Sequence, residues 1–189
     1  AIVTVGYRDG SPVVGPGIYT SLQDALLDVS SWCNLGSFPL PSPVENPCLI
    51  RLTPGSYVVD TLVQLLPHVH LEGAGEAATR IRLQGMGQLV FWGSGSAEEE
   101  VEIGSLTLER DFPTSPLPAI ENHQGHMTLS AVTIWGPPNM GGYAIHAEGG
   151  SGSMTLNHVT IDGAGVAIEG FDMPLRIEDS RIRNSEIGV

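Results

Sequence analysis

Glu121, His146 and Glu169 each stand one residue after the isoleucine of a recurring Ala-Ile pair, at Ile120, Ile145 and Ile168. A carboxylate, an imidazole and a second carboxylate in one column would supply an acid/base set, or oxygen and nitrogen ligands for a divalent cation. The plainer expectation is an exposed ion-pair ladder that relieves like-charge repulsion. Trp135 and Trp92 would be stacking platforms for sugar rings if exposed, although burial against a turn is the simpler reading of either indole. His68 and His70 alternate as they would on one side of a strand, and without a third ligand they read as surface positions. Asp162, Asp172 and Asp179 are scattered. These residues define no catalytic set, no metal centre and no cofactor site.

Repetition is what would bring such residues together. The segments beginning at Val101, Met127, Met154 and Leu175 and ending at Leu108, Ile134, Ile161 and Ile182 superpose residue by residue. A second register follows each one, at Pro118 to Ile120, Tyr143 to Ile145, Val166 to Ile168 and Ile187 to Val189. A period of roughly 25 residues suits a β-solenoid and is too short for a βαβ unit. Each repeat predicts one coil with at least two short strands, and stacked coils bury an apolar column that no single coil could bury. Coils stack about 4.8 Å apart, so aligned outward positions form ladders. Thr107, Thr133 and Thr160 make one such ladder, closed by Arg181. Glu109, Trp135, Asp162 and Arg183 make another, ending in an acid and an arginine placed for a cross-coil salt bridge.

Toward the N-terminus, Ala1 to Val5 reads as a strand and residues 20 to 32 as an amphipathic helix with Leu22, Ala25, Leu26 and Val29 on one face. Thr20 with Gln23 fits a capping box. The helix would cover the open end of the apolar column. Strands are expected at Cys48 to Leu52, Ser56 to Val59, Leu62 to Leu66, His68 to Leu71 and Thr79 to Leu83. Cys33 and Cys48 bracket a Pro-rich loop, 33–48. A disulfide there would imply an oxidising compartment, and the alternative is a pair of unlinked buried thiols.

Composition narrows the classes. The 189 residues suit one domain, 1–189, and 41% hydrophobic residues at regular spacing argue against disorder. A net charge of −13 argues against a nucleic-acid or anionic-membrane partner, and disfavours a polyanionic polysaccharide unless a divalent cation intervenes. All 8 basic residues are arginine, which excludes lysine chemistry. No apolar run approaches the roughly 20 residues of a membrane-spanning helix.

Tyr19 to Leu26, Ile50 to Tyr57 and Val69 to Gly75 resemble the opening of the pectinesterase-like branch of the pectin-lyase superfamily, and the later repeats resemble bacterial secreted β-helix repeat proteins. The resemblance runs over nearly the whole chain. It implies an all-β fold, a right-handed parallel β-helix with one N-terminal capping α-helix. The acidic motifs of pectinesterases, polygalacturonases and pectate lyases do not stand here. Gly125-His126 and Arg181 to Arg183 are present without the acids that would accompany them. The expected role is a non-catalytic, extracellular or cell-surface structural protein, with the periplasm as the other location. It would associate with itself through solenoid ends or faces, because Val189 closes a strand with no cap after it. A carbohydrate-binding or carbohydrate-active module for pectin-type polysaccharide is the alternative, with glycan lying near Glu121, His146, Glu169 and Trp135. A phage tail-spike or adhesin fragment is the third reading.

Overall fold

The computed structural model describes residues 2–8, 11–12, 18–29, 33, 47–94, 96, 99–110 and 117–185. Its strands are β1 (Ile2–Val5), β2 (Tyr7–Arg8), β3 (Ser11–Pro12) and β4 (Ile18–Tyr19), then helix α1 (Leu22–Leu27). There follow β5 (Cys48–Leu52), β6 (Gly55–Val59), β7 (Leu62–Leu65), β8 (Val69–Glu72), β9 (Thr79–Leu83) and β10 (Gln88–Trp92). The remainder are β11 (Glu100–Arg110), β12 (Ile120–His123), β13 (His126–Glu148), β14 (Ser153–Asn157), β15 (Thr160–Phe171), β16 (Leu175–Glu178) and β17 (Arg181–Arg183).

Pairing along the stack is parallel throughout, apart from the short antiparallel β2 and β3. The chain winds through three faces per coil. The first face is β1, β5, β8, the start of β11, the start of β13, β14 and β16. On the second lie β6, β9, the end of β11, the middle of β13, the start of β15 and β17. The third comprises β7, β10, β12, the end of β13 and the end of β15. The chain is thus a parallel β-helix with very little helix, the fold class expected from its repeats.

Register follows the repeats. Val101 pairs with Met127, Met127 with Met154 and Met154 with Leu175, while Ile120, Ile145 and Ile168 align on the third face. All of these except Leu175 are fully buried, and Leu175 packs against the same core. Each eight-residue segment that reads as one strand is in fact two, bent at a corner. Ser105 (φ 56°), Ala131 (φ 52°), His158 (φ 54°) and Asp179 (φ 46°) occupy that corner in the left-handed region. Holding a non-glycine residue there costs about 1–2 kcal/mol, so the corner persists because ladders on both sides fix it.

Helix α1 buries Leu22, Ala25 and Leu26, with Val29 just beyond, which is the face expected. The cap differs: Ser21, not Thr20, is the N-cap, and its Oγ accepts from the Asp24 amide at 3.2 Å. Gln23 is drawn away from any capping box, its Oε1 accepting from the Asp60 amide at 3.4 Å. The helix is also shorter than 20–32, ending at Leu27 with Asp28 as C-cap; residues 30–32 lie outside the described residues. Cys33 and Cys48 form a disulfide with Cα atoms 5.9 Å apart, tying the segment after the helix to the first residue of β5. The loop interior, 34–46, and the expected closing strand at Ile187 to Val189 lie outside the described residues.

Candidate binding groove

The second face carries a concave feature formed around several of the singled-out side chains. Two outward columns build it. Arg80, Thr107, Thr133, Thr160 and Arg181 are register partners on successive coils, and beside them run Arg82, Glu109, Trp135, Asp162 and Arg183. Alternation places them outward because Ile81, Leu108, Ile134 and Ile161 between them point into the core. A groove of about 460 Å³ opens over these columns, with Glu76 on its wall.

Trp135 is 41% exposed and lies beside Glu109 on one neighbouring coil and Asp162 on the other. Each carboxylate meets an arginine. Arg80 Nη1 lies 3.1 Å from Glu109 Oε2, and Arg183 approaches Asp162 Oδ2 with Nη2 at 2.9 Å and Nε at 3.0 Å. The Asp162 to Arg183 pair is the cross-coil bridge the column predicts. Asn184 adds a donor to Asp162 Oδ1 at 2.6 Å. Thr107 donates to the Glu76 carbonyl at 2.8 Å and Thr133 donates to the Glu76 carboxylate. Glu109 Oε2 is within ion-pair range of Arg80, yet it is buried and makes no aligned hydrogen bond. An exposed indole flanked by carboxylates and guanidiniums offers an apolar plane and a rim of donors and acceptors, the composition of a small-molecule or glycan site.

Glu121, His146 and Glu169 do align in one column, on the third face. His146 Nδ1 stands 2.9 Å from Glu169 Oε2. The neighbouring outward column adds groups that were not singled out. His123 Nε2 lies 2.8 Å from Glu121 Oε1, and His123 Nδ1 lies 2.5 Å from Glu148 Oε1. Buried Gln88 donates to Glu121 from behind, and the hydroxyl of Tyr143, hydrogen-bonded to Glu169, is held above the ordinary phenol range by that carboxylate. The donors and acceptors satisfy one another, and among the described residues no three His, Cys, Asp or Glu groups are arranged to hold a metal ion. The two-residue alternation was the signal available: His123 follows Glu121, and Glu148 follows His146, at the next outward position.

Trp135 does not share this face. Between it and Ile145 the β13–β15 register shifts, and the chain turns the corner from the second face to the third. A ligand spanning Glu121, His146, Glu169 and Trp135 together would have to wrap that corner. Trp92, 48% exposed, borders the third-face row, its ring centroid 6.1 Å from that of His123. Neither indole is buried against a turn, because both occupy outward strand positions. His68 departs from its surface reading: it precedes β8 at φ 62° and is 1% exposed. His70 remains in the strand, 4.0 Å from Glu102.

The class these observations define is a parallel β-helix with a polar, tryptophan-bearing groove on one face. No protein-family model matches the chain, and no curated protein matches it in sequence. Among solved structures it is similar to pectin methylesterase PemA from Erwinia chrysanthemi, at TM-score 0.49 and 10% identity, over 96% of this chain and 66% of that one. A pectin methylesterase mutant in complex with a hexasaccharide aligns at TM-score 0.48 and 14% identity, over 95% of this chain and 65% of that one. The chain therefore spans just under two thirds of the length of either neighbour. Among the described residues no helix is long and apolar enough to cross a membrane.

Proposed function

We propose that this β-helix binds a glycan in the groove of its second face, with Trp135 as the stacking platform and Glu109, Asp162, Arg80 and Arg183 as hydrogen-bonding partners for hydroxyls. The observation that carries the reading is the position of Trp135, exposed in a groove of about 460 Å³ and bracketed in register by two arginine-bound carboxylates. Binding without turnover is the favoured form of this activity. Glycosidic hydrolysis requires one carboxyl group to act as an acid and a second to act as base or nucleophile. Of the three groove carboxylates, Glu109 and Asp162 are engaged by guanidiniums and Glu76 accepts from Thr133, an arrangement suited to accepting hydrogen bonds. The protein would act in an oxidising, extracytoplasmic setting, as the Cys33–Cys48 disulfide favours.

A self-associating structural role rests on the sequence pattern alone, and the groove favours ligand binding over it. The test is a glycan array probed with wild type, Trp135→Ala and Trp92→Ala. Retained binding by Trp92→Ala with loss in Trp135→Ala supports the second-face groove. Equal binding by all three proteins, or none by wild type, removes it.

A further inference from the structure

Resting on that reading, the geometry points to a particular ligand class: we infer that the groove takes an uncharged, extended polysaccharide chain lying along the solenoid axis, rather than a uronate polymer. The direction comes from the columns. The groove residues succeed one another on β9, β11, β13, β15 and β17, at one outward position per coil. A ligand that meets Glu109, then Trp135, then Asp162 crosses the strands and advances one coil at each contact. Those steps of ~4.8 Å are roughly one pyranose of an extended chain, so the strands lining the groove span about four sugars.

The lack of charge comes from what the groove already contains. Glu76, Glu109 and Asp162 outnumber Arg80 and Arg183 on its walls, within a chain of net charge −13. Both of these arginines are already bound to carboxylates, at 3.1 Å and 2.9 Å. A ligand carboxylate would have to displace Glu109 or Asp162 and leave it beside the new anion, whereas a hydroxyl can join either pair without breaking it. Glu109 Oε2 faces Arg80 and is itself buried, so the pair is held in place and presents no free cation to a ligand carboxylate. Sugar hydroxyls supply donors, while the C–H face of a pyranose supplies the apolar surface that Trp135 stacks on.

The experiment is isothermal titration calorimetry of the full chain with neutral β-1,4-linked gluco- and xylo-oligosaccharides of two to six units, and with oligogalacturonates of the same lengths, at low and moderate salt. Expected is an affinity that rises with neutral chain length to about four or five sugars and then levels. Neutral oligomers should bind about tenfold or more tighter than matched galacturonates, with little salt dependence. Glu109→Ala should lose about tenfold for neutral chains, with an unchanged melting temperature. Equal or tighter galacturonate binding overturns the neutral-chain inference while leaving the groove as a glycan site. Affinity that stops rising at two sugars overturns the axial placement. No binding by any oligosaccharide overturns this inference and the glycan reading together.

Discussion

Trp135 and Asp162 are register partners on adjacent coils, so the exposed indole and the arginine-bound carboxylate sit one coil step apart on the second face. This pairing joins an apolar plane to a fixed acceptor on a rigid ladder. Removing the indole should therefore damage ligand binding without damaging the fold. Trp135→Ala is expected to weaken oligosaccharide binding at least tenfold, about 1.4 kcal/mol, while leaving the melting temperature within a few degrees of wild type. Calorimetry and thermal unfolding check the two halves separately.

The third-face row should behave in the opposite way. His146 and Glu169 are bonded to each other across coils at 2.9 Å and lie outside the groove. His146→Ala and Glu169→Ala should leave oligosaccharide affinity unchanged within twofold and cost about 0.5–1.5 kcal/mol of stability. Denaturant titration alongside calorimetry reads both quantities. A large loss of affinity would move the ligand to the third face.

The Cys33–Cys48 bridge has a sequence separation of 15 and ties the segment after α1 to the start of β5. In the chain-entropy model a loop of that size contributes about 3 kcal/mol. The double variant Cys33→Ser with Cys48→Ser should lose stability of that order, and wild type under reductant should match it. Mass spectrometry after thiol labelling without reductant should find no reactive cysteine, and two labelled thiols would remove the bridge.

Much of this architecture was legible in the sequence because stacked coils repeat their inward residues. The register of Val101, Met127 and Met154, the Thr107 column and the Glu109 to Arg183 column all followed from aligning apolar positions. The corner within each repeat was hidden, since Ser105, Ala131, His158 and Asp179 adopt a left-handed conformation that ordinarily advertises itself with glycine. The groove was only half visible for a related reason. Trp135 and Asp162 belong to the regular repeats, but Glu76 and Arg80 come from the coils before residue 101, whose sequences do not follow the repeat. The separation of Trp135 from His146 was hidden as well, because the repeat fixes which residues share a column and not how the columns are placed around the coil.

Those hidden corners are testable. Ala131 holds φ 52° with no side-chain hydrogen bond to compensate, so Ala131→Gly should stabilise the protein by about 0.5–1 kcal/mol. Ala131→Val should destabilise it by more, because a β-branched residue is poorly accommodated there. Chemical denaturation of the two variants measures both signs.

His70 gives the fold a pH dependence of definite sign. Burial holds its imidazole below the ordinary value of 6.5, Glu102 and Glu100 pull it up, and nearby His68 pushes it further down. The unfolded chain therefore takes up this proton at a higher pH than the native state does. The contribution is complete above about pH 6.5 and is lost as the pH falls from there through the lowered native value. The denaturation midpoint should be lower near pH 5.5 than near pH 7.5, and His70→Gln should narrow the difference. An unchanged or wider difference would show that His70 does not supply it.

The central claim is the placement of a glycan on the second face, and NMR chemical-shift mapping with a neutral tetrasaccharide tests it most directly. The account predicts saturable shifts of the Trp135 indole N–H and of amides around Thr107, Thr133, Thr160 and Arg183, with His123, His146 and Glu169 unmoved. Shifts confined to the third-face residues, or no saturable shifts at millimolar ligand, would contradict it.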